Sequence, residues 1–399
     1  MLLLLLLHLL LLPHLSWGGG EEAERWRCPL VAPPPPITCT CTLPHTLRCD
    51  GSLGTLPLSS LLSSLTSLPP RHLTLLDLSV RGAPSLPPRA LAPLQLEGLV
   101  VSTGALRRLP ARAFAGLEPS LTALGLPGNA LASVPTHALA PLTRLARLDL
   151  SSNSLTSLPS LPALPDLELL SLSSNSLSSL ASGVFQAVPH LRTLQLADNR
   201  LSMAAIYHYN LQHLSYLSSL DLASNRLAGP LSPPSLDLFP PNLRSLDLSL
   251  NTITSLAGRT FSSLTSLTTL SLEGNLVEEV EEEAFQGLSS LTSLDLSHNS
   301  ILTLATASLA GLPSLTSLNL AHNHLQVVDS SMVAPSSPLL ASLFLMDNDI
   351  TTVAGAALEQ ARHLQELDLT GEGPVYGLFM ASGALWRLYG LYGVFMIED

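Results

Sequence analysis

Residues 121–129 read LTALGLPGN, and this pattern, L-x-x-L-x-L-x-x-N, decides the fold of the chain. The same leucines and the same final asparagine return every 22–26 residues until close to the end of the sequence. Three weaker copies, which begin at Leu73, Leu96 and Leu364, keep the leucines and lack the asparagine. A period of this length, repeated in phase, predicts one structural unit copied along the chain. The asparagines of the full copies are Asn129, Asn153, Asn175, Asn199, Asn225, Asn251, Asn275, Asn299, Asn323 and Asn348.

Each copy predicts a short strand followed by a turn. Two leucines of the motif stand two residues apart, so a strand would point both inward and the residue between them outward. The asparagine follows where the chain leaves the strand, and its amide offers a donor and an acceptor to backbone groups of the turn. Stacking would bury the leucines in one continuous core and align the asparagines in a ladder.

The pattern therefore predicts an α/β leucine-rich repeat solenoid of about thirteen copies over residues 53–372. We expect a horseshoe with a concave parallel β-sheet and a convex side of irregular, 3-10 or short helical structure. The return half of many copies reads x-L/V-x-x-x-x-F-x-x-L, as in residues 109–117 and 280–288. Its aromatic residues should point into the core from the convex side; they are Phe114, Phe185, Phe261 and Phe285.

Three return segments depart from the common length. Residues 155–167 are short and rich in proline, which favours extended backbone over helix. Residues 202–216 and 227–243 are long. Extra length in a repeat is expected to loop out of the stack, where binding features often lie.

The composition argues against several functions. The chain has 399 residues and a net charge of −12, which disfavours nucleic acid as a partner. The sequence has no glycine-rich phosphate loop, zinc-protease motif or nucleophile elbow, so we predict neither catalysis nor a cofactor. His208 and His213 lack a cysteine or carboxylate at ligand spacing, and no metal site is predicted. No Asn-x-Ser/Thr sequon occurs, which predicts a chain without N-linked glycans.

The first residues predict export from the cell. Residues 1–12 are nearly all leucine, and small residues follow at positions 18–20. An apolar run of this length that ends at small residues is typical of a secretory signal, and it is too short to span a bilayer. We interpret residues 1–20 as a signal peptide.

All four cysteines stand close together after this segment, at Cys28, Cys39, Cys41 and Cys49. In a secreted chain an even, clustered set predicts disulfides. A zinc site is the alternative, but its usual Cys-x-x-Cys spacing is not matched by Cys39-x-Cys41. Because a solenoid needs a terminal cap over its first core layer, residues 26–52 are predicted to form a cysteine-rich cap.

The residues Cys28-Pro29, Cys39-Thr40-Cys41 and Cys49 resemble the amino-terminal cap of extracellular leucine-rich repeat proteins. That family includes Slit, Toll-type receptor ectodomains, chaoptin and the small leucine-rich proteoglycans. The resemblance extends over most of the chain, residues 28–372, and implies pairing of Cys28 with Cys41 and of Cys39 with Cys49. It also implies a secreted or cell-surface location.

The middle outward position of the predicted strands is often an aspartate. Two interpretations stay open. Aspartate is common at this position of the repeat, where it satisfies backbone groups or stays solvated; alternatively, these residues form an acidic stripe that selects a basic protein surface. Phe344 and Met346 are apolar exceptions near the carboxyl end and form a candidate hot spot. The aspartates are Asp77, Asp149, Asp221, Asp247, Asp295 and Asp368.

The end of the chain departs from the repeat. Residues 373–399 form an atypical tail. Within it, residues 375–397 make an apolar segment that is long enough to span a bilayer. Arg387 in the middle opposes insertion by roughly 2.5–3.5 kcal/mol, and no polar spacer precedes the segment as a glycolipid-anchor signal requires. Membrane association stays open, and we interpret the tail as a truncated end whose final residues partly cover the last repeat.

Together these features predict an extracellular scaffold of the adhesion or receptor type that binds another protein through its concave face. The alternative is a secreted matrix or carrier protein for a soluble growth-factor-like ligand. A cell-surface anchor would favour the first function, and recovery from the medium in a stable complex would favour the second.

Overall fold

A computed structural model describes most of the repeat region and part of each end of the chain. The described residues form two compact units, which lie within residues 1–194 and 195–399, and both are built from the predicted repeat. The predicted signal peptide and His208 lie outside the described residues. The described residues are 28, 33, 36–43, 45–54, 58–66, 73–181, 183–207, 211–236, 239–305, 307–329, 337–353, 363–371, 377–381, 384–388 and 394–396.

The first unit begins with the cysteine cap. Strands β1 (Thr38–Leu43) and β2 (Thr46–Ser52) form an antiparallel hairpin in which Cys39 lies opposite Cys49. Disulfides join Cys28 to Cys41 and Cys39 to Cys49, which confirms the pairing implied by the family resemblance. No cysteine is left free, so the zinc alternative is wrong.

The cap continues directly into the repeat sheet of the first unit. Strand β2 pairs in parallel with β3 over seven residues, and each later strand pairs in parallel with the next. The motif leucines lie opposite one another, so the core is continuous from repeat to repeat. The strands of this sheet are β3 (Leu75–Arg81), β4 (Gly98–Val101), β5 (Ala123–Gly125), β6 (Arg147–Asp149) and β8 (Leu169–Ser171).

The return segments of the first unit contain short helices and two short strands. Helix α1 (Leu58–Thr66) buries its leucines, and helix α2 (Thr136–Leu139) is a single turn. A 3-10 turn spans Ala92–Leu94. Strands β7 (Ser157–Leu158) and β9 (Ser179–Leu180) pair in parallel, and β10 (Thr193–Gln195) lies at the unit boundary.

The second unit repeats the same arrangement with seven parallel strands in register. Leucine lies opposite leucine from Leu220 and Leu246 to Leu343 and Leu367. The uniform register places the residues after these leucines on one line. The strands are β11 (Ser219–Asp221), β13 (Ser245–Asp247), β15 (Thr269–Ser271), β17 (Ser293–Asp295), β18 (Ser317–Asn319), β20 (Ser342–Phe344) and β22 (Glu366–Asp368).

The return side of the second unit is more regular than the sequence predicts. Alongside the expected short helices α3 (Met203–Tyr207) and α4 (Pro233–Leu236) and a 3-10 turn (Leu211–His213), it contains two small parallel sheets. Successive returns pass close enough to exchange backbone hydrogen bonds, such as the bond from Thr252 N to Leu227 O at 2.9 Å. The sheets are β12 (Ala228–Leu231), β14 (Thr252–Leu256) and β16 (Glu279–Val280), and β19 (Val327–Val328) with β21 (Thr352–Val353).

The described parts of the tail are strands. Strands β23 (Gly377–Ala381) and β24 (Ala384–Leu388) form an antiparallel hairpin, and β25 (Val394–Met396) pairs antiparallel with β22. Strand β25 therefore lies along the last repeat, where the sequence analysis expects the final residues. In the part of the chain that the structure describes, no helix has the length and apolar character needed to cross a bilayer.

The core consists of the motif leucines and the phenylalanines of the returns. Leu121, Leu124 and Leu126 are completely buried, and each such side chain contributes about 1.5–3 kcal/mol of burial free energy. The four predicted phenylalanines are buried as well. The rings of Phe261 and Phe285 stack with their centroids 5.7 Å apart.

Candidate binding surface

The asparagine at the end of each motif completes the turn that follows the strand. The Nδ2 group of Asn251 donates to three backbone oxygens, each 3.0 Å away. Its Oδ1 atom accepts from the backbone N–H groups of Asn225 and Leu227, both at 3.1 Å. Because these partners belong to two consecutive repeats, the side chain fixes where each strand ends relative to the previous one. Similar bonds recur at Asn129, Asn153, Asn175, Asn225, Asn275, Asn299, Asn323 and Asn348.

The residue before the asparagine takes a left-handed backbone conformation, which the repeat pattern does not predict. Its φ angle lies between 51° and 55° at the eight non-glycine positions. Side chains other than glycine adopt this conformation at a cost of roughly 1–2 kcal/mol, so the asparagine bonds must outweigh it. At two copies the residue in this position is glycine, Gly128 and Gly274, and these two alone indicate a left-handed turn from the sequence. The eight residues are Ser152, Ser174, Asp198, Ser224, Leu250, His298, His322 and Asp347.

Thr103 takes over part of the asparagine's function in the weak copy that begins at Leu96. Its side chain is only 2% exposed, and its hydroxyl lies 2.8 Å from the carbonyl oxygen of Ala83. The same hydroxyl accepts from the N–H of Leu106 at 3.1 Å. The sequence signal for this role, a lone threonine one residue before the asparagine position, is too weak to recognise.

The register of the second unit aligns the middle outward residues in one line, which we call the outward row. Asp221 lies opposite Asp247, and Phe344 lies opposite Asp368. All its members are half-buried, so part of each side chain reaches solvent. The outward positions of these strands, all within the described residues, carry five acidic side chains and no basic one. The acidic residues are Asp221, Asp247, Asp295, Glu366 and Asp368. The outward row is Asp221, Asp247, Ser271, Asp295, Asn319, Phe344 and Asp368.

The aspartates of the outward row also bind the backbone. The Oδ1 atom of Asp247 accepts from the N–H of Ser249 at 2.9 Å. Asp295 accepts from both the N–H and the hydroxyl of Ser297, at 2.9 and 2.6 Å. One carboxylate oxygen therefore supports the turn after the strand, as the structural interpretation expects, while the charge stays at the half-exposed surface.

Burial, with a smaller effect from a neighbouring like charge, raises the pKa of Asp221. Burial raises the pKa of this carboxyl above its ordinary value of 3.8, and the neighbouring charge of Asp247 raises it further. The hydrogen bond from the N–H of Ala223 opposes both effects. The negative charge at this position is thus disfavoured by its surroundings, and a cationic group placed above the row would stabilise it.

The first unit buries two of the predicted surface aspartates. Asp77 has no exposed surface, and its Oδ2 atom lies 3.7 Å from Nε of Arg48 in the cap. Asp149 is 5% exposed, and its Oδ1 atom accepts from the N–H of Ser151 at 2.8 Å. The prediction that Asp77 and Asp149 present their charge on a binding face is therefore wrong. Both support the structure beneath the surface.

Two histidines stack beside the asparagine turns of the second unit. The rings of His298 and His322 are parallel within 15°, with their centroids 4.0 Å apart. Nδ1 of His322 lies 3.4 Å from Oδ2 of Asp347. Among the described residues, no group of three histidine, cysteine or carboxylate side chains has a geometry that could hold a metal ion.

The fold and the stacked motifs define a repeat scaffold, and comparison with known proteins identifies its family. The leucine-rich repeat family model matches residues 119–177, 143–201, 165–227, 217–277 and 267–325, which together span more than half of the chain. The chain belongs to the leucine-rich repeat family. It is a scaffold of the kind found in protein-binding ectodomains.

Individual relatives agree with this assignment. The mouse (Mus musculus) protein named transforming growth factor beta activator LRRC32 is 37% identical over 146 residues, which are 36% of this chain and 19% of that protein. The chain thus matches only about a fifth of the length of this relative. The LRR protein LIC12759 of Leptospira interrogans has a similar structure, with a TM-score of 0.59, 25% identity and coverage of 79% of this chain and 83% of that one.

The Drosophila Toll–Spatzle complex contains a further chain of the same fold. Its TM-score is 0.62 at 23% identity, over 82% of this chain and 47% of that one. At this identity the likeness concerns the fold alone.

Proposed function

We propose that the chain is an extracellular scaffold that binds another protein through the outward row of the second unit. The observation that carries the proposal is the charge of this surface, which has five acidic side chains at its outward strand positions and no basic one among the residues described there. The proposal assigns binding and no chemical step. A basic protein surface is the partner that this charge favours.

The proposal rests on the energetic cost of the aligned carboxylates. Neighbouring strands of a sheet lie about 4.8 Å apart, so Asp221 and Asp247 repel each other without a counter-charge. Lysine or arginine side chains of a partner would relieve this repulsion. The flanking serines and threonines are small, so they leave the carboxylates accessible to such long side chains.

The disulfide cap supports an extracellular location. One disulfide joins the two strands of the cap hairpin, Cys39 to Cys49, and the other ties Cys28 to strand β1. Disulfides persist in oxidising compartments such as the extracellular space. The leucine-rich segment over residues 1–12 is consistent with export through a secretory signal.

Paired variants test the proposal by affinity capture from cell-conditioned medium and from surface-biotinylated cells. The first variant combines Asp221→Ser, Asp247→Ser and Asp295→Ser, because the chain itself has serine at row position Ser271. The control removes three exposed carboxylates from a return segment by Glu278→Gln, Glu279→Gln and Glu282→Gln. We expect proteins captured by wild type to be retained by the control and lost from the row variant. Equal capture by both variants would contradict the proposed surface.

A second function, carrier of a soluble growth-factor-like ligand, is favoured by the match to the protein named transforming growth factor beta activator. Surface plasmon resonance with purified transforming growth factor beta distinguishes the two functions. Saturable binding that the row variant weakens would support the carrier function. Absence of binding, together with capture of a cell-surface protein, would leave the adhesion or receptor function.

A further inference from the structure

The arginines of the chain are unevenly distributed. The net charge is −12, and residues 260–361 contain no arginine or lysine. Residues 82–117 of the first unit carry four arginines and a single acidic residue, Glu97. We call the four the arginine patch; they are Arg89, Arg107, Arg108 and Arg112.

The fold places the arginine patch on the return segments of two consecutive repeats. The N–H of Arg89 donates to the carbonyl oxygen of Arg112 at 2.9 Å, so these two residues are backbone neighbours. Arg108 lies opposite Ser85 in a parallel bridge, and the N–H of Arg107 donates to the oxygen of Pro84. All four arginine side chains are exposed.

A second pair at the same repeat position shows how the chain neutralises charge elsewhere. In the second unit the N–H of Arg259 donates to the carbonyl oxygen of Glu283 at 2.9 Å, as Arg89 does to Arg112. There the two side chains form an ion pair at 2.9 Å. In the first unit the neighbour is another arginine. Within the described part of the chain, no ion pair involves a member of the arginine patch.

We propose that the arginine patch binds a linear sulfated polysaccharide. Guanidinium groups bind oxyanions through two parallel N–H bonds, and a polymer with regularly spaced sulfates can contact arginines of consecutive repeats together. A folded protein partner is a poorer fit, because the large exposed apolar side chains of the described residues all lie outside residues 82–117. Single-stranded nucleic acid is also disfavoured, because its bases stack on exposed aromatic side chains. Residues 82–117 contain one aromatic residue, Phe114, and it is buried.

Heparin affinity tests this inference with two variants of equal charge. The patch variant carries Arg89→Gln, Arg107→Gln, Arg108→Gln and Arg112→Gln. The control carries Arg200→Gln, Arg226→Gln, Arg244→Gln and Arg259→Gln, which replace four exposed arginines of the second unit. Glutamine is used because Arg244→Ser would create a glycosylation sequon at Asn242. Binding of each protein to immobilised heparin and to unsulfated dextran is measured at increasing sodium chloride concentration.

We expect wild type to bind heparin but not dextran, with an affinity that falls as salt rises. The patch variant should bind at least about tenfold more weakly, as the loss of four exposed ion pairs implies, and the control should change by less than about twofold. The heparin affinity of the double variant Arg89→Gln/Arg112→Gln should lie between those of wild type and the patch variant. The double variant replaces the patch variant in the test if the patch variant misfolds. Absence of heparin binding by wild type, an equal loss in both variants, or equally tight binding of polyglutamate would overturn the proposal.

Discussion

At the scale of single residues, the asparagine and the aspartate of the repeat make different hydrogen bonds and contribute to different properties. Asn251 uses both ends of its amide to join backbone groups of consecutive repeats. Asp247 uses one oxygen to support the turn of its own repeat and keeps its charge at the surface. We therefore expect changes at the asparagine to affect stability, and changes at the aspartate to affect binding more than stability.

Asn251→Ala should lower the free energy of unfolding by about 3 kcal/mol or more. The substitution leaves several buried backbone groups without partners, each at a cost of about 1–3 kcal/mol. The control is Asn242→Ala, which removes one exposed bond to the oxygen of Ser215. Urea unfolding followed by circular dichroism measures both. Equal midpoints for Asn251→Ala and wild type would show that the amide bonds do not stabilise the turn.

Asp149 should make the stability of the protein depend on pH. Burial raises the pKa of this carboxyl above 3.8, against the opposing hydrogen bonds from Ser151, so the folded state holds its proton more tightly than the unfolded state. Its contribution to stability is present below about pH 3.8 and is lost as pH rises through the raised folded pKa.

Asp149→Ser removes this titration. The difference in unfolding free energy between the variant and wild type should therefore shift in favour of the variant as pH rises from 3 to 7. Urea midpoints at several pH values in this window measure the difference. Asp198→Ser, at an exposed carboxylate, controls for the loss of a charge as such. A difference between Asp149→Ser and wild type that stays constant across the window would contradict the assigned pKa direction.

At the scale of the elements, the return segments depend on glycines that pack against the preceding repeat. Gly287 has a φ of +104°, and a Cβ atom there would lie 2.8 Å from the Cα and O atoms of Ser262. Gly229 has a φ of +83° but has open space around the same point. The pair separates the two costs of adding a side chain, backbone strain and collision with a neighbour.

We expect Gly287→Ala to destabilise the second unit by about 2–4 kcal/mol, because it adds collision to strain. Gly229→Ala should cost only about 1 kcal/mol, from strain alone. Thermal unfolding of the two variants measures the difference. Equal losses would mean that the returns can separate enough to accept the extra methyl group.

The sequence predicts the strands, the leucine core and the cysteine cap because each depends on a pattern local to one repeat. It does not predict the strands of the return side, since these arise from hydrogen bonds between segments about 24 residues apart, such as Thr252 and Leu227. The burial of Asp77 does not follow from the repeat pattern, for a related reason. Its surroundings include Arg48 of the cap, which no repeat pattern could place beside it.

At the scale of the whole molecule, charge is what distinguishes one part of this repetitive chain from another. Acidic residues line the outward strand positions of the second unit, and arginines gather on two return segments of the first. The leucines that build the fold are the same in both. Binding specificity in such a scaffold depends on the positions that the repeat leaves free.

The most direct test of binding through the outward row uses a glycan as a steric block. Because the chain lacks a native sequon, Asp247→Asn creates one over positions 247–249, in the middle of the row. Thr252→Asn creates another over positions 252–254, on the three-stranded return sheet of the same unit. Capture of partner proteins from medium and cell surfaces is compared for wild type and the two glycosylated variants.

The account predicts that the glycan at position 247 abolishes capture and that the glycan at position 252 does not. Removal of the first glycan by peptide N-glycosidase converts its asparagine to aspartate, which restores the native residue Asp247 and should restore binding. Undiminished capture with a fully occupied glycan at position 247 would contradict binding through the outward row.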